Sequence, residues 1–222
     1  LRALNNLPHG RGLGSSASAI IGGLILARSL VVGGVDRMND NDVLTLATEM
    51  EGHPDNVAAA LHGGAVISWS GTEFADAIKL EVSPRITAVA FIPSNHVPTS
   101  KARKMLPESI PHQDAVKNSI HTALLTQALT ARPDLLLTAT EDFLHQSYRE
   151  AAMPKSFALM QKLRAAGVPA FISGAGPTVL ALLVDADIHH DDEMGDLIRA
   201  AGSGFTVENI DISPTGYQVS NL

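Results

Sequence analysis

Apolar and polar stretches alternate along the chain in blocks that predict its elements. Ser15–Val32 is dominated by apolar residues, opens on two serines suited to capping, and is closed by Gly33-Gly34; this predicts a helix. Asn39–Asp42 offers caps for a second helix running to about Glu51. Gly52–Asp55 breaks that helix, and Asn56–Leu61 predicts another short one. The apolar runs Ala65–Ser70, Ala75–Val82 and Ile86–Ile92 predict strands, with Gly71 and Pro84 marking the turns. Leu1–Asn6 reads as the end of an earlier strand. With Leu rather than Met in first place, this suggests that the sequence begins in the middle of a fold.

The pattern changes after Ile92. Pro93–Pro111 carries four prolines and reads as loop. His112–Thr130, Pro133–Leu144 and Pro154–Ala166 predict helices. Pro169–Ile172 and Thr178–Val184 predict short strands around a glycine-rich turn. Asp192–Ala201 predicts a last helix, and Phe205–Ile212 with Gly216–Leu222 a closing hairpin around Pro214. Strands and helices come in groups rather than in strict βαβ alternation, so the fold class expected is α+β.

Composition narrows the possibilities. With 45% hydrophobic and 18% charged residues, the 222-residue chain has ample material for a core. The formal net charge is −7, the sequence pI is near 5.7, and no basic tract exceeds Lys101-Ala102-Arg103-Lys104, which argues against nucleic acid as a partner. Having no cysteine, the chain lacks disulfides, zinc thiolates and a cysteine nucleophile, in keeping with a reducing, cytoplasmic setting. The apolar run Ala17–Ala27 falls short of the roughly 20 residues a membrane helix needs, so no membrane partner is expected.

The densest chemistry sits in Pro8-His9-Gly10-Arg11-Gly12-Leu13-Gly14-Ser15-Ser16-Ala17-Ser18. Its glycines permit positive φ and close backbone approach to a ligand. The loop opens directly onto a long helix, whose N-terminal amides and dipole favour phosphate. A serine hydroxyl at this point is suited to Mg²⁺ or a phosphate oxygen. No Lys follows the last glycine, so the pattern is not a Walker loop, and it lacks dinucleotide spacing. A capped glycine turn without a ligand remains the alternative from composition alone.

A second patch, Glu49-Met50-Glu51-Gly52-His53-Pro54-Asp55-Asn56-Val57, gathers five polar groups able to bind metal or substrate within eight residues. Carboxylates suit the hard cation Mg²⁺, and Glu49 stands near a helix end from which it could face the phosphate loop. A solvated helix terminus is the alternative reading. The run His189-His190-Asp191-Asp192-Glu193 is read as a solvated helix start rather than a metal site.

Pro8–Ala17, as P-x-x-x-G-L-G-S-S-A, resembles the phosphate loop of the GHMP kinases, the galacto-, homoserine, mevalonate and phosphomevalonate kinases. E-G-H-P-D-N-V followed by A-x-x-G-G, at Glu51–Gly64, is similar to the homoserine-phosphorylating branch of that family. The resemblance covers essentially the whole chain. It lacks the family's earlier strands, with their G-x-G-F-D-x-L-G-like segment. It implies a GHMP kinase-like two-layer fold, with a ribosomal protein S5 domain 2-like part over residues 1–92 and a ferredoxin-like part over residues 93–222. It also implies ATP and Mg²⁺ as cofactors and L-homoserine as the acceptor, within threonine biosynthesis; a homodimer is a reasonable expectation.

The same resemblance implies roles for individual residues. Residues 8–18 would bind ATP. Ser15 and Glu49, ahead of Glu51, would hold Mg²⁺. His53, Asp55 and Asn56 would face homoserine, with Asp55, Asn56 and Arg149 nearest the chemistry. The family pattern T-x-x-x-R recurs as Thr99 and Arg103, and Y-R before a proline-led helix as Tyr148-Arg149. Arg is shaped to hold a carboxylate, so both arginines are expected at that of the substrate, with Thr99 nearby. Ser173-Gly174-Ala175-Gly176-Pro177 matches a family segment expected to wall the active site. Another GHMP small-molecule kinase, or a non-catalytic nucleotide-binding fragment of the fold, would share these features.

Overall fold

A computed structural model describes residues 2–185 and 193–220, which form two compact units interleaved along the chain. The first comprises Leu1–Leu7, Gly14–Glu81 and Ile212–Leu222; the second comprises Pro8–Leu13 and Val82–Asp211.

In the first unit, helices α1 (Ser15–Leu30), α2 (Gly34–Arg37), α3 (Asp40–Glu51) and α4 (Asp55–His62) are followed by the antiparallel pair β1 (Ala65–Ser70) and β2 (Ala75–Leu80). On α1, Ala17, Ile21 and Ile25 recur every fourth residue, so they share one face and are buried. They pack with Val43, Leu44 and Ala47 of α3 and with Val57 and Leu61 of α4. Each large apolar side chain so buried contributes on the order of 2 kcal/mol. The start of α3 is fixed by a reciprocal cap: Asn39 accepts from the Asn41 and Asp42 amides, and Asp42 accepts from the Asn39 amide. It ends at Gly52, whose φ of 87° is left-handed.

The second unit holds β3 (Ile86–Pro93), α5 (Thr99–Arg103), α6 (His112–Thr130), a 3-10 turn at Pro133–Leu135, α7 (Leu136–Ala139) and a second 3-10 turn at Ser147–Ala152. Then come α8 (Pro154–Ala165), β4 (Ala170–Ile172), β5 (Val179–Val184), α9 (Glu193–Ala201) and β6 (Phe205–Ile210). The four strands form one antiparallel sheet in the order β4-β5-β3-β6. Val89 and Phe91 of β3 and Val179, Ala181 and Leu183 of β5 alternate onto one face, where they pack with Leu159, Met160 and Leu163 of α8 and Ile198 of α9. The residue pair 92/93 falls at the end of β3, whose two sheet neighbours both lie in the second unit.

Three expectations are corrected. Leu1–Asn6 does not end a strand: its described residues, 2–6, are exposed coil with no ladder partner. There Asn5 turns the chain, its side-chain oxygen accepting from the Leu7 amide. The helix expected over Pro133–Leu144 stops at Ala139. Arg164 donates to the Leu137 carbonyl, and the Asp142 carboxylate collects the amides of His145 and Gln146, which a continuing helix would need for itself. The closing hairpin fails in its second half. Ser213 and Pro214 accept from the Gly64 amide and the Lys79 ammonium instead of from a strand, and residues to 220 run as a strap across the first unit. His189–Asp192, read from sequence as a solvated helix start, lie outside the described residues. No helix among the described residues is long and apolar enough to cross a membrane.

Candidate active site

The glycine-rich loop is shared between the two units, and each has its own part of it. In the second unit, Gly10 (φ 65°) and Gly12 (φ 77°) hold left-handed conformations that L side chains rarely adopt. The Gly10 carbonyl accepts from the Val97 amide at 3.1 Å, and the Arg11 guanidinium donates to the Ser94 carbonyl at 2.8 Å. Behind the loop lies the turn Ser173–Gly176. Ser173 Oγ donates to the Gly12 carbonyl at 2.7 Å, and the Thr178 amide donates to the Arg11 carbonyl at 3.3 Å. A Cβ on Gly12 would collide with the Ser173 carbonyl oxygen, so this approach requires glycine.

In the first unit, Gly14 (φ 72°) stands at the N-cap of α1 and offers no side-chain cap. Ser15 is buried, and its Oγ accepts from Asn5 Nδ2 at 3.0 Å. Ser16 Oγ donates to Glu51 Oε2 at 2.8 Å, bringing a carboxylate to the mouth of the helix. Glu49, favoured over Glu51 in the sequence, is exposed on α3. Asn56 reaches the same place: its side-chain oxygen is the nearest atom, at 3.9 Å, to where a Cβ on Gly14 would stand. Asp55 Oδ1 sits 2.5 Å from His53 Nδ1 and accepts the Asn56 amide at 2.6 Å, so the turn His53–Asn56 organises itself. Gly14, Ser16, Glu51 and Asn56 thus gather at one helix N-terminus, a ready site for an anion and its counter-cation.

Mg²⁺ takes few protein ligands and prefers hard oxygens, with phosphate and water completing its shell. The Ser16 hydroxyl and Glu51 carboxylate fit that demand. Among the described residues no group of three or more His, Asp or Glu side chains is placed to cage a metal.

The second unit holds the expected carboxylate-binding arginines. Arg149, in the 3-10 turn after α7, is only 8% exposed, and its Nη1 donates to the Gly174 carbonyl at 3.0 Å. Its Nε is buried without a partner, and no carboxylate among the described residues lies within ion-pair distance of it. Burial pushes the Arg149 guanidinium below its ordinary value, the Asp142 carboxylate opposes that, and the positive charge of Arg103 adds to it. Arg103 stands on α5, and Arg149 on the turn that packs against it. Thr99 and Arg103 are exposed on α5, one helical turn apart. Two adjacent cations, one of them desolvated and without an anionic contact, suit an anionic ligand group. No sequence pattern marks Asp142, which matters through the turn it builds. Nor does any mark Arg164, whose guanidinium binds Thr140 Oγ1 and the carbonyls of Leu137 and Ala170.

The family model described as GHMP kinases N terminal domain matches residues 1–64, and that described as GHMP kinases C terminal matches residues 122–204. Homoserine kinase of Streptomyces avermitilis is 51% identical over 218 residues, covering 98% of this chain and 70% of that protein. That of Rhodococcus erythropolis is 45% identical, covering 97% and 70%, and that of Streptomyces coelicolor 56% identical, covering 82% and 59%. Among solved structures, homoserine kinase from Cytophaga hutchinsonii superposes with a TM-score of 0.79 at 26% identity, covering 96% of this chain and 69% of that one. L. major mevalonate kinase in complex with R-mevalonate shares the fold, with a TM-score of 0.57 at 17% identity, covering 90% and 66%. The fold and the two matched domains are those of a GHMP kinase. Within that class, the chain belongs to the homoserine kinase family. It spans 59–70% of the length of the curated relatives given above.

Proposed function

We infer that this chain is an ATP-dependent kinase that transfers the γ-phosphoryl group of ATP to the side-chain hydroxyl of L-homoserine, giving O-phospho-L-homoserine and ADP. The observation that carries this reading is the gathering of Gly14, Ser16, Glu51 and Asn56 at the start of α1. Phosphoryl transfer needs positioning and charge neutralisation more than covalent help from the protein. The amides opening α1 and the left-handed glycines before it suit the nucleotide's phosphates. Mg²⁺, when bound, neutralises the charge that builds on the phosphoryl oxygens. Ser16 and Glu51 are the residues proposed to face the metal, in place of the Ser15 and Glu49 that the sequence favoured.

Homoserine is read by chemistry type. Arg149 and Arg103, with Thr99, are assigned to its carboxylate, and His53, Asp55 and Asn56 to its amino and hydroxyl groups. The homoserine oxygen forms the new P–O bond, the bond to ADP breaks, and the hydroxyl proton is lost, passing to the phosphate itself. Asp55 Oδ1 is already engaged by His53 and the Asn56 amide, which favours an orienting role for Asp55 over that of a strong base. A phosphotransfer assay with homoserine, mevalonate and galactose as acceptors tests the reading. Turnover of homoserine alone is expected, and turnover of another acceptor in its place would move the chain to a different branch of the class. Arg149→Ala is expected to weaken homoserine about 100-fold, on the scale of a lost bidentate charged contact.

A further inference from the structure

We propose that Asp142 is a positioning residue for substrate recognition: it builds the turn that aims Arg149 and keeps that guanidinium open to the carboxylate of the acceptor. The inference rests on the assignment of Arg149 to that carboxylate, made above.

Four groups converge on the Asp142 carboxylate. Oδ1 accepts from the Leu144 amide at 3.3 Å and lies 2.9 Å from His145 Nδ1; Oδ2 accepts from the His145 amide at 2.8 Å and the Gln146 amide at 2.6 Å. These bonds outweigh the effect of burial and hold the Asp142 carboxyl below the usual range. Asp142 therefore stays charged at neutral pH. The Gln146 carbonyl in turn accepts the Arg149 amide at 3.1 Å, while Gln146 Oε1 accepts the Ile172 amide at 2.6 Å and pins the turn to β4. The chain of bonds runs from Asp142 through Gln146 to Arg149, whose Nη1 is fixed on the Gly174 carbonyl.

Electrostatics give the arrangement its purpose. Arg149 is buried beside another cation, Arg103, and that costs stability unless negative charge lies near. Asp142 supplies that charge without touching the guanidinium, its oxygens being committed to the turn. A carboxylate in direct contact with Arg149 would compete with the ligand. One held at a distance lowers the cost of burial and leaves the guanidinium available.

The test is a calorimetric comparison of two ligands in the presence of Mg²⁺ and a non-hydrolysable ATP analogue. One is L-homoserine; the other is L-homoserinol, in which CH2OH replaces the carboxylate. Asp142→Asn is expected to weaken L-homoserine about tenfold, since misplacing a binding group by a fraction of an ångström has effects of that size. The affinity of L-homoserinol is expected to stay within about twofold. In an Arg149→Ala background, Asp142→Asn should then have no further effect on L-homoserine, because the two act as one unit. Equal loss of both ligands with Asp142→Asn, whatever its thermal midpoint, would make Asp142 merely structural and overturn the proposal. Full additivity with Arg149→Ala would overturn it as well. If Arg149→Ala weakens L-homoserine and Asp142→Asn does not, only this inference fails. If Arg149→Ala leaves L-homoserine unchanged, the assignment of Arg149 fails first, and this inference falls with it.

Discussion

Arg28 shows how a single side chain changes meaning once the chain is folded. Along the sequence it follows the apolar run Ala17–Ala27, yet in the structure it is only 7% exposed. Its guanidinium donates to Asp40 Oδ1 at 2.7 Å, the Met38 carbonyl at 3.2 Å and the Tyr217 hydroxyl at 2.6 Å, and it lies 5.4 Å from the Tyr217 ring centroid. Tyr217 in turn donates to Asp40 at 3.1 Å, closing a triad. Burial alone would lower the pKa of the guanidinium, but the bonds to Asp40 and Tyr217 outweigh it and raise the pKa. Arg28→Met keeps the apolar stem and removes the charge, leaving the tyrosine hydroxyl and the half-exposed Asp40 short of a donor. The loss expected is about 2 kcal/mol, below the roughly 3–5 kcal/mol for breaking a fully buried pair because Asp40 keeps contact with water. Urea denaturation followed by tryptophan fluorescence measures it, and an unchanged midpoint would show the triad to be neutral.

Among the elements, the glycine-rich loop was legible and its support was not. The glycine spacing and the serines that follow announced a loop opening a helix, and α1 begins at Ser15 as expected. Which glycine is indispensable depends on what lies behind it. Gly10 and Gly12 both have positive φ, so alanine costs about 1–2 kcal/mol in backbone strain at either. A Cβ on Gly10 meets only His96 side-chain atoms, the nearest at 3.5 Å, which is ordinary contact. At Gly12 it meets the backbone of Ser173 and Gly176, which cannot move aside cheaply. Gly12→Ala is therefore expected to abolish Mg·ATP binding, and Gly10→Ala to weaken it about tenfold, on the scale of the strain alone. Calorimetric titration of both variants ranks them, and equal effects would show that packing behind the loop is irrelevant. The shortened helix after Pro133 carries the same lesson. Its composition favours helix throughout, but Asp142 and Arg164 take up the backbone groups that would extend it.

For the molecule as a whole, the first unit is completed by residues from the far end of the chain. The Gly64 amide donates to the Ser213 carbonyl, the Lys79 ammonium to the carbonyls of Pro214 and His62, and Tyr217 reaches Arg28. Gly63 and Gly216 allow the strap to lie against α4, where a Cβ on either would strike backbone. Ending the chain at Ile212 removes the contacts made by Ser213, Pro214 and Tyr217 while leaving β3–β6 untouched. Hydrogen exchange is expected to quicken about tenfold or more in α1 and α4, with the β3–β5 ladder still protected. Uniform exchange changes in both units, or none, would count against the strap's role.

By itself, the sequence determined what local chemistry determines. It settled the α+β class, most helix and strand positions, the glycine-rich loop that opens α1, the E-G-H-P-D-N-V turn and the family these imply, because periodicity, capping and glycine conformation act within a few residues. Only the tertiary structure decided that Glu51 rather than Glu49 meets Ser16, that Arg149 is buried near Arg103 with Asp142 behind its turn, and that the last residues close the first unit. Those outcomes depend on burial and on contacts between residues distant in sequence, where desolvation and packing, rather than local preference, set the energy.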